Sequence, residues 1–482
     1  MSNQPPQTSL LRRRRTKIVA TVGPASRDSA VLEALVRAGV NVFRLNLSHG
    51  DKDEHRANFE RVRAAAAAVG EAVAVLADLC GPKIRVGRFD GGCIALDPGQ
   101  RVTVTTRDVL GGPGVIPSQY TALAKDVRPG DRILLDDGML ELHVEGVSGS
   151  EVACTVTAGG VLKDRKGMNL PGVLVSSPAL TDKDREDVPF ALDLGVDFLA
   201  LSFVRRPRDV LELKGLIASA GATTPVIAKI EKPEALDTID EILDAADGLM
   251  VARGDLGVEL APEAVPIVQQ DLVRRARLKN KPIIVATQML ESMVEHPRPT
   301  RAEVSDVSHA VFAGADAVML SAETALGAYP VKAVEMMDRV ARQVEGWQWI
   351  EGAFHSITEG EHERPAPLPL REAVARSTAQ LSRDLQVRAV VVRTQKGTSA
   401  SVVSATRPPA PIIALTMDPR VCRRLNLLWG VIPHRIEPSE FDRPQAVARR
   451  LACELNLAQE GQTILLLAGF GKGEPMITVL PI

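Results

Sequence analysis

The chain has little cysteine and no long apolar run, and both shortages narrow its class. Only five cysteines occur among 482 residues, and no two of them have Cys-x-x-Cys spacing. A scattered, odd set of cysteines favours a reducing compartment and argues against structural disulfides or zinc sites. No apolar segment is long enough to span a membrane, and the four arginines at 12–15 are not followed by the hydrophobic segment of a secretory signal. We therefore expect a cytoplasmic protein with no membrane partner, in which residues 12–15 form a solvated basic lead-in.

A marked excess of charge is also lacking. Lysine and arginine together number 58 against 60 acidic residues, which gives a formal net charge of −2. The near-zero net charge therefore gives no reason to expect nucleic acid as a partner, and any phosphate binding must come from local clusters of charge. An apolar fraction of 45% and a charged fraction of 24% are typical of a globular protein, and the length predicts two to four domains.

Eight short apolar runs alternate with helical segments, and each run ends at polar residues. Helical patterns cover, for example, residues 30–38 and 264–280. Eight strand–helix units predict a (β/α)8 TIM barrel, whose chemistry lies at the carboxyl ends of its strands. A doubly wound open sheet is the alternative, and the count of eight disfavours it. The runs are 17–22, 40–43, 73–77, 197–201, 225–228, 248–252, 282–286 and 316–320.

Two successive strand ends carry the most informative side chains. Lys229 and Glu231 follow one apolar run, and Arg253, Gly254 and Asp255 follow the next. Parallel strands joined by a helix bring these ends side by side. Two carboxylates at one edge suit a hard cation such as Mg²⁺, and the free N–H groups of the Arg-Gly-Asp-Leu-Gly turn suit an anion. The pattern predicts a site for a phosphorylated acid.

The same alternation predicts three domains. Residues 12–85 and 178–345 form the catalytic barrel. Residues 86–177 lose the helical period and form an inserted all-β lid domain, with strands at 101–105, 132–135, 140–144 and 152–156. Residues 346–370 contain three prolines and read as an irregular linker. Residues 371–482 form a C-terminal α/β domain, with strands at 389–392, 412–415, 430–433, 463–468 and 476–480 and helices at 371–385, 419–429 and 444–455.

Ten short motifs in order resemble the pyruvate kinase family, and the resemblance covers nearly the whole chain. The inserted lid and the C-terminal domain match the three-domain plan of that family. The motifs are 16–26 (TKIVATVGPAS), 41–50 (NVFRLNLSHG), 81–85 (GPKIR), 136–138 (DDG), 166–172 (KGMNLPG), 228–231 (AKIE), 250–259 (MVARGDLGVE), 286–293 (ATQMLESM), 297–303 (PRPTRAE) and 321–330 (SAETALGAYP).

The resemblance implies a reaction and a role for each strand-end residue. The family transfers the phosphoryl group of phosphoenolpyruvate to ADP, which gives pyruvate and ATP and ends glycolysis, and its members are usually homotetramers. Phosphoryl transfer depends mainly on positioning and charge neutralisation. The resemblance implies that Glu231 and Asp255 bind Mg²⁺ (or Mn²⁺), and that the amides of Gly254 and Asp255 with the Thr287 hydroxyl bind the substrate carboxylate. It implies a further substrate contact by Ser202, phosphoryl binding by Arg44 and charge stabilisation by Lys229. It also implies enolate protonation through Thr287, Ser321 and Glu323, and nucleotide binding by His49, Arg85, Lys166 and the lid residue Asp137.

The chain departs from many family members at the site of a second cation. The resemblance places a K⁺ site at Asn46, Ser48, Asp78 and the Leu79 carbonyl. Leu79 and Lys83 stand where K⁺-using members have threonine and glutamate, and they match a branch that does not need K⁺. We expect the Lys83 ammonium to replace K⁺, so that K⁺ is not required.

Several alternatives stay open from the sequence. The loop of Thr394, Gln395, Lys396, Gly397, Thr398 and Ser399 resembles the effector loop of the family, where a sugar phosphate or nucleoside monophosphate would bind, but it also fits an ordinary polar turn at a helix start. In isolation Glu231 fits a surface ion pair, Thr287 and Ser321 fit helix caps, and His49 fits a loop histidine. The whole chain could instead be an inactive homologue or a barrel lyase or aldolase acting on phosphoenolpyruvate or pyruvate.

Overall fold

A closed parallel barrel forms the centre of the computed structural model, which describes residues 11, 13–358, 367–470 and 474–482. Twenty-one strands occur in these ranges. They are β1 (Lys17–Thr21), β2 (Val42–Asn46), β3 (Ala74–Asp78), β4 (Cys93–Leu96), β5 (Arg101–Thr105), β6 (Val115–Pro117), β7 (Arg132–Leu135), β8 (Leu140–Ser148), β9 (Glu151–Ala158), β10 (Gly160–Lys163), β11 (Met168–Asn169), β12 (Phe198–Leu201), β13 (Val226–Ile230), β14 (Gly248–Ala252), β15 (Ile283–Ala286), β16 (Ala317–Leu320), β17 (Val390–Arg393), β18 (Ile412–Thr416), β19 (Val431–Arg435), β20 (Thr463–Ala468) and β21 (Met476–Pro481).

Eight of these strands close the barrel in the order β1-β16-β15-β14-β13-β12-β3-β2, and every pair is parallel. The prediction of a TIM barrel is therefore confirmed. Nearly every residue of the eight strands is buried, as expected for parallel strands covered on both faces. Val19, Met250 and Ile284 belong to the cluster that fills the interior, so the barrel is a packed core rather than a pore.

Helices cover the outside of the barrel and both faces of the C-terminal sheet. No helix within the described ranges is both long and apolar enough to cross a bilayer. The helices are α1 (Ser29–Arg37), α2 (Lys52–Val69), α3 (Leu123–Asp126), α4 (Asp182–Leu194), α5 (Pro207–Ser219), α6 (Glu234–Asp237), α7 (Ile239–Ala245), α8 (Arg253–Glu259), α9 (Val265–Leu278), α10 (Arg301–Phe312), α11 (Ala322–Ala325), α12 (Pro330–Gly352), α13 (His355–Thr358), α14 (Leu370–Asp384), α15 (Thr398–Ala405), α16 (Pro419–Arg424), α17 (Pro438–Phe441) and α18 (Pro444–Glu454).

The segment after β3 leaves the barrel and forms a β-rich unit with its own apolar core. Its main sheet has the order β11-β7-β8-β9-β5-β6, and β10 pairs separately with β4. The four strands expected from alternation are present as β5, β7, β8 and β9. The other four strands have two to four residues each, which is too short for a readable period-2 pattern.

The C-terminal sheet has the order β19-β18-β17-β20-β21, and only β21 runs antiparallel to its neighbour. All five expected strands are present. The expected helix over 419–429 is wrong beyond Arg424, where a 3-10 turn of Leu425–Leu427 follows α16. The turn has a packing reason, because Leu427 is fully buried among the side chains that fill the base of the barrel.

The expectation of an irregular linker over 346–370 is wrong for its first part. Helix α12 continues to Gly352, and α13 follows at His355–Thr358. A single glycine costs a helix only about 1 kcal/mol, and Gly346 lies on the buried face of α12 between Glu345 and Gln348. Burial of that face therefore outweighs the local preference. Residues 359–366 of the expected linker lie outside the described residues.

The expectation of a solvated basic lead-in is wrong for two arginines. Arg14 Nε lies 3.0 Å from Asp338 Oδ1, and the Arg14 side chain is only 7% exposed. Arg15 is also buried, and its backbone N–H donates to Glu345 Oε2 at 2.7 Å. Both residues fix the start of β1 to helix α12, Arg14 through an ion pair and Arg15 through its backbone N–H. Arg13 is exposed, and Arg12 lies outside the described residues.

Candidate active site

A buried lysine organises the carboxyl ends of the barrel strands. Lys229 Nζ lies 2.9 Å from Glu231 Oε1 and 3.3 Å from Asp78 Oδ1, and it donates to Ser202 Oγ at 2.7 Å. Burial by itself lowers the pKa of the Lys229 ammonium, but Asp78 and Glu231 together raise this pKa above its ordinary value. Lys229 is therefore a permanent positive charge in a water-poor site.

Arg44 completes the positive edge of the site. Its Nε donates to Asp78 Oδ2 at 2.7 Å, and Nη1 donates to Thr21 Oγ1 at 3.2 Å. Asp78 is 1% exposed, and although burial raises its pKa, Lys229 and Arg44 bring the pKa below its ordinary value. One ionised carboxylate thus holds a lysine from β13 and an arginine from β2 at fixed positions.

Glu231 and Asp255 have the donor chemistry of a divalent cation site. Glu231 is 1% exposed, and its Oε2 accepts the Phe203 N–H at 2.6 Å. Burial raises the pKa of Glu231, Lys229 lowers it and Asp255 raises it, and the net direction is upward. Repulsion between these two carboxylates is what a shared cation would relieve. No group of three or more histidine, cysteine or acidic residues among the described residues could hold a metal, and two carboxylates fit Mg²⁺, which leaves positions for substrate and water.

A backbone amide and a threonine hydroxyl meet where α8 begins directly after β14. The Gly254 N–H donates to Thr287 Oγ1 at 2.7 Å, and that hydroxyl donates to the Ala286 carbonyl at 2.6 Å. Thr287 has φ 71°, which is costly for a β-branched residue. Such strain is typical of functional sites.

Glu323 joins the ends of β15 and β16. It is 1% exposed, and its carboxylate accepts the Ser321 N–H at 2.7 Å and the Leu290 N–H at 3.0 Å. Burial raises the pKa of Glu323. Ser321 lies at the start of α11, at the end of β16. The sequence-predicted relay residues therefore sit at adjacent strand ends, with Glu323 bonded to backbone rather than to the Thr287 side chain.

The predicted nucleotide-binding residues form a positive rim outside this centre. Burial lowers the pKa of His49, and Arg85, Lys83 and Arg44 lower it further. On the lid side, Lys166 Nζ lies 2.8 Å from Asp136 Oδ1. The rim has several cations within electrostatic range of one another, which suits an anionic ligand.

The Asp-Asp-Gly turn of the inserted unit carries an ion pair in addition to the predicted residue. Lys166 pairs with Asp136, whereas the predicted Asp137 is exposed. Both aspartates have positive φ angles, 52° and 55°, which aspartate tolerates in turns. Arg85 Nη1 donates to the Arg165 carbonyl at 3.1 Å, so it also contacts the lid. Asp136 was missed, although the Asp-Asp-Gly turn was the available signal.

Asp78, Asn46 and Leu79, three of the family K⁺ positions, contact other groups of the chain. Asp78 is shared by Arg44 and Lys229, as described above. Asn46 Oδ1 accepts the Ser48 N–H at 3.3 Å, and the Leu79 carbonyl accepts the Ser202 hydroxyl at 2.7 Å. Lys83 is exposed and lines a cleft together with Asp255, Asn169 and Phe203.

Two further features of the site were missed by sequence reasoning. Lys232 pairs with Glu259, and Asn169 Nδ2 donates to the same carboxylate at 3.0 Å, which ties β11 of the inserted unit to α8 of the barrel. The second is the contact of Arg253, which the sequence singled out at a strand end without a role, with the Thr287 and Gln288 carbonyls after β15. Nothing in spacing alone distinguishes such supporting residues from ordinary charged residues.

The predicted effector loop has the geometry of a tight turn before α15. Thr394 is buried, and its Oγ1 accepts the Gly397 N–H at 2.9 Å. Gly397 has φ 90°. Gln395, Lys396 and Thr398 are exposed, and Ser399 is partly exposed. Ser401 Oγ on α15 donates to the Asn280 carbonyl of the barrel at 2.6 Å, so the loop leads directly to the contact between the two units.

A TIM barrel with a buried lysine–carboxylate–arginine network at the carboxyl ends of its strands has the fixed charges that a phosphotransferase needs. The family model for the pyruvate kinase barrel domain matches residues 13–334, and the model for the pyruvate kinase alpha/beta domain matches residues 372–479. The chain belongs to the pyruvate kinase family. The resemblance that the motifs predicted is confirmed.

Individual relatives span almost the whole chain. A pyruvate kinase of Geobacillus stearothermophilus is 45% identical over 469 residues, which is 96% of this chain and 78% of the relative. A pyruvate kinase of Mycobacterium tuberculosis (strain ATCC 25618 / H37Rv) is 46% identical over 464 residues, 95% of this chain and 96% of the relative. The crystal structure of a pyruvate kinase from Cryptosporidium parvum superposes with a TM-score of 0.91 at 37% identity, covering 97% of this chain and 96% of that one.

Proposed function

We propose that the protein transfers the phosphoryl group of phosphoenolpyruvate to ADP, forming pyruvate and ATP, and so performs the last step of glycolysis in the cytoplasm. The observation that carries this proposal is the buried Lys229 ammonium, which Asp78 and Glu231 hold at the same edge as Arg44 and the Thr287–Gly254 pair. Membership of the pyruvate kinase family supports it. An inactive homologue would be expected to lose some of these groups, and all are present.

Each end of phosphoenolpyruvate has a complementary group. The amides of Gly254 and Asp255 with the Thr287 hydroxyl bind the carboxylate, and Ser202 adds a polar contact. On binding, the Gly254 N–H and the Thr287 O–H exchange their present acceptors, Thr287 Oγ1 and the Ala286 carbonyl, for the substrate oxygens. The Arg44 guanidinium binds the phosphoryl oxygens, since its planar fork fits phosphate. Lys229 stabilises negative charge on the phosphoryl group during transfer.

Glu231 and Asp255 would hold Mg²⁺, for which Mn²⁺ is an acceptable substitute. When bound, the cation supplies positive charge that neutralises the phosphoryl and carboxylate oxygens. The upward pKa direction of Glu231, caused by burial and by Asp255, supports this assignment. Glu231→Ala or Asp255→Ala should raise the Mg²⁺ concentration needed for half-maximal activity, and an unchanged Mg²⁺ titration would contradict the assignment.

The nucleotide and the proton relay occupy the rim and the neighbouring strand ends. His49, Arg85 and Lys166 bind the phosphates of ADP, and the lid residue Asp137 closes over them. The low pKa of His49, caused by burial and by nearby Arg85, Lys83 and Arg44, supports a locally positive site for phosphate. Thr287, Ser321 and Glu323 deliver the proton that converts the enolate to pyruvate. Burial raises the pKa of Glu323, which favours its protonated form and supports a role in proton transfer.

We propose further that catalysis does not require K⁺. Three groups of the family K⁺ positions already have partners in the chain: Asp78 pairs with Arg44 and Lys229, the Asn46 amide oxygen accepts the Ser48 N–H, and the Leu79 carbonyl accepts the Ser202 hydroxyl. The Lys83 ammonium supplies a positive charge in the adjoining cleft. A tethered ammonium avoids the entropic cost of binding a free cation.

We also propose a homotetramer in which Thr394, Gln395, Lys396, Gly397, Thr398 and Ser399 bind a phosphorylated effector. The exposed hydroxyls and ammonium at the start of α15 support an anion site. A sugar phosphate or nucleoside monophosphate should lower the KM for phosphoenolpyruvate, and Lys396→Ala should abolish the response. Arg388→Ala, at the opposite end of the same strand, is the control. A response that survives Lys396→Ala would refute this site.

A coupled assay tests the main proposal. Pyruvate formation from phosphoenolpyruvate is followed with and without ADP, with Mg²⁺ present and K⁺ absent. Strict dependence on ADP with stoichiometric ATP formation is expected. Consumption of phosphoenolpyruvate without ADP would favour a lyase or aldolase, and absence of any turnover would favour an inactive homologue.

A further inference from the structure

The Arg253 side chain clamps the backbone that follows β15. Its guanidinium is buried, with 8% exposure. Its contacts with this segment are Nε to the Ala286 carbonyl at 3.4 Å, and Nη2 to the Thr287 carbonyl at 2.6 Å, to the Gln288 carbonyl at 3.3 Å and to Met289 Sδ at 2.7 Å. One side chain therefore contacts four consecutive residues.

The clamped segment is the strained part of the proposed carboxylate site. Thr287 and Gln288 both have positive φ, 71° and 52°, which non-glycine residues rarely adopt. Such conformations persist only when the surroundings over-determine them. The Arg253 guanidinium donates to the carbonyls of Thr287 and Gln288, so neither peptide can rotate without losing a hydrogen bond. These bonds hold the positive φ angles in place.

The residue after Arg253 also contacts the Thr287 hydroxyl. Gly254, the next residue after Arg253, donates its N–H to Thr287 Oγ1 at 2.7 Å. The Arg253 side chain thus binds the Thr287 carbonyl, and the Gly254 amide binds the Thr287 hydroxyl. The Arg253 guanidinium is itself fixed by Asp306 Oδ1 on α10 at 2.6 Å and by Gln269 Oε1 on α9 at 3.4 Å.

We propose that Arg253 is a positioning residue that holds Thr287 in the geometry needed to bind the substrate carboxylate; this inference rests on the function proposed above. Arg253 acts through Thr287 and touches no reacting atom. This role requires the planar guanidinium rather than a positive charge alone, because one lysine ammonium cannot reach both the Thr287 and Gln288 carbonyls and the carboxylate of Asp306.

The test compares Arg253→Met with Arg63→Met, a matched control at the other end of the barrel. Arg63 also donates to a backbone carbonyl, that of Val73 at 2.8 Å, and to a buried aspartate, Asp197 at 2.6 Å. Arg253→Met should lower kcat/KM for phosphoenolpyruvate by about 100-fold, since small misplacements of a binding group have effects of this size, and should leave the KM for ADP within about twofold. Arg63→Met should lower Tm without changing either constant by more than about twofold.

Two further variants distinguish positioning from general destabilisation. Arg253→Lys should recover little of the lost kcat/KM, and guanidinium at millimolar concentration should partly restore Arg253→Ala. The double variant Thr287→Ala/Arg253→Met should have a kcat/KM for phosphoenolpyruvate no lower than that of the less active single variant, because both changes act through one group. If Arg253→Met does not fold, Asp306→Asn should show the same selective effect on phosphoenolpyruvate to a smaller degree.

The outcomes separate this inference from the proposed function. Equal losses for phosphoenolpyruvate and ADP, full rescue by lysine, or additive losses with Thr287→Ala would overturn the positioning role while leaving the reaction intact. An unmodified protein without turnover would overturn the proposed function. Binding of phosphoenolpyruvate, read as a rise in Tm, then decides the role of Arg253: a rise lost in Arg253→Met but kept in Arg63→Met supports it, and any other pattern overturns it.

Discussion

Replacement of Lys229 by methionine isolates the charge at the centre of the site. Methionine keeps most of the side-chain volume but removes the ammonium that lies 2.9 Å from Glu231 and 3.3 Å from Asp78. In the proposed reaction this charge acts on the phosphoryl group during transfer. Loss of one preorganised electrostatic donor typically costs about 10²–10³-fold in kcat. We expect a loss of at least that size, with phosphoenolpyruvate and Mg²⁺ still bound.

The same change should lower stability in a pH-dependent manner. Breaking a buried ion pair costs about 3–5 kcal/mol, because the remaining charge is left without a partner. The pKa of Glu231 is already raised, by burial first and by Asp255, and without Lys229 it rises further. A carboxylate whose pKa is higher in the folded state favours folding when it is protonated. The penalty should therefore be small at acidic pH and should grow as pH rises through the folded-state pKa of Glu231.

The assay measures kcat, the KM for phosphoenolpyruvate and Tm from pH 5 to pH 9. Lys17→Met is the control, since Lys17 is also a buried lysine but lies at the amino end of β1, where its ammonium donates to the Val431 carbonyl at 2.6 Å. The control should keep kcat within about twofold. Near-normal kcat with a raised KM in Lys229→Met would refute the catalytic reasoning, and a pH-independent stability loss would refute the electrostatic reasoning.

Three further predictions follow from other parts of the structure. Burial, reinforced by Arg14 and Arg15, lowers the pKa of Lys17 to about 7; the unfolded chain binds more protons between pH 7 and roughly 10, so the free energy of unfolding should rise with pH there by up to ~1.4 kcal/mol per unit, and this slope should vanish in Lys17→Met. Leu427→Ala should cost about 2–5 kcal/mol in denaturant unfolding, because Leu427 is fully buried at the base of the barrel, whereas Leu385→Ala at an exposed leucine should change stability by less than about 0.5 kcal/mol. Activity in a tetraalkylammonium buffer with Mg²⁺ should be near maximal, Lys83→Glu should depress it and added K⁺ should partly restore it; strong K⁺ activation of the unmodified protein would contradict the Lys83 proposal.

The strand order of the barrel follows from the sequence because its signals are strong and repeated. Strands such as Val226–Ile230 are continuous buried runs, and each is bounded by turn residues and a helix. The errors fall where tertiary contacts override local preference. Gly346 continues a helix because its face is buried, and Leu427 interrupts one because it packs into the barrel. Neither contact is visible from nearby residues.

The site is predictable only in part for a related reason. Lys229, Glu231 and Asp255 stand at strand ends that the barrel topology alone brings together. Supporting residues lack that regularity. Arg253 contacts a segment more than thirty positions away, and its partner Asp306 lies on another helix, α10. Such pairs depend on how helices pack on the barrel, which no local motif encodes.

One end of the barrel contacts the C-terminal unit and the other carries the proposed site, and the barrel strands connect the two ends. Asp316, just before β16, accepts from Arg407 Nη1 and from the Trp429 N–H, both at 3.1 Å. Ser321, just after β16, lies at the proposed site. Only four buried residues separate the contact with the C-terminal unit from the site. A densely packed strand of that length is poorly compressible, so a shift at Asp316 is not easily absorbed before Ser321. If the proposed effector loop binds its ligand, Asp316→Asn should weaken the effector response and leave basal activity unchanged, and an undiminished response would contradict coupling along β16.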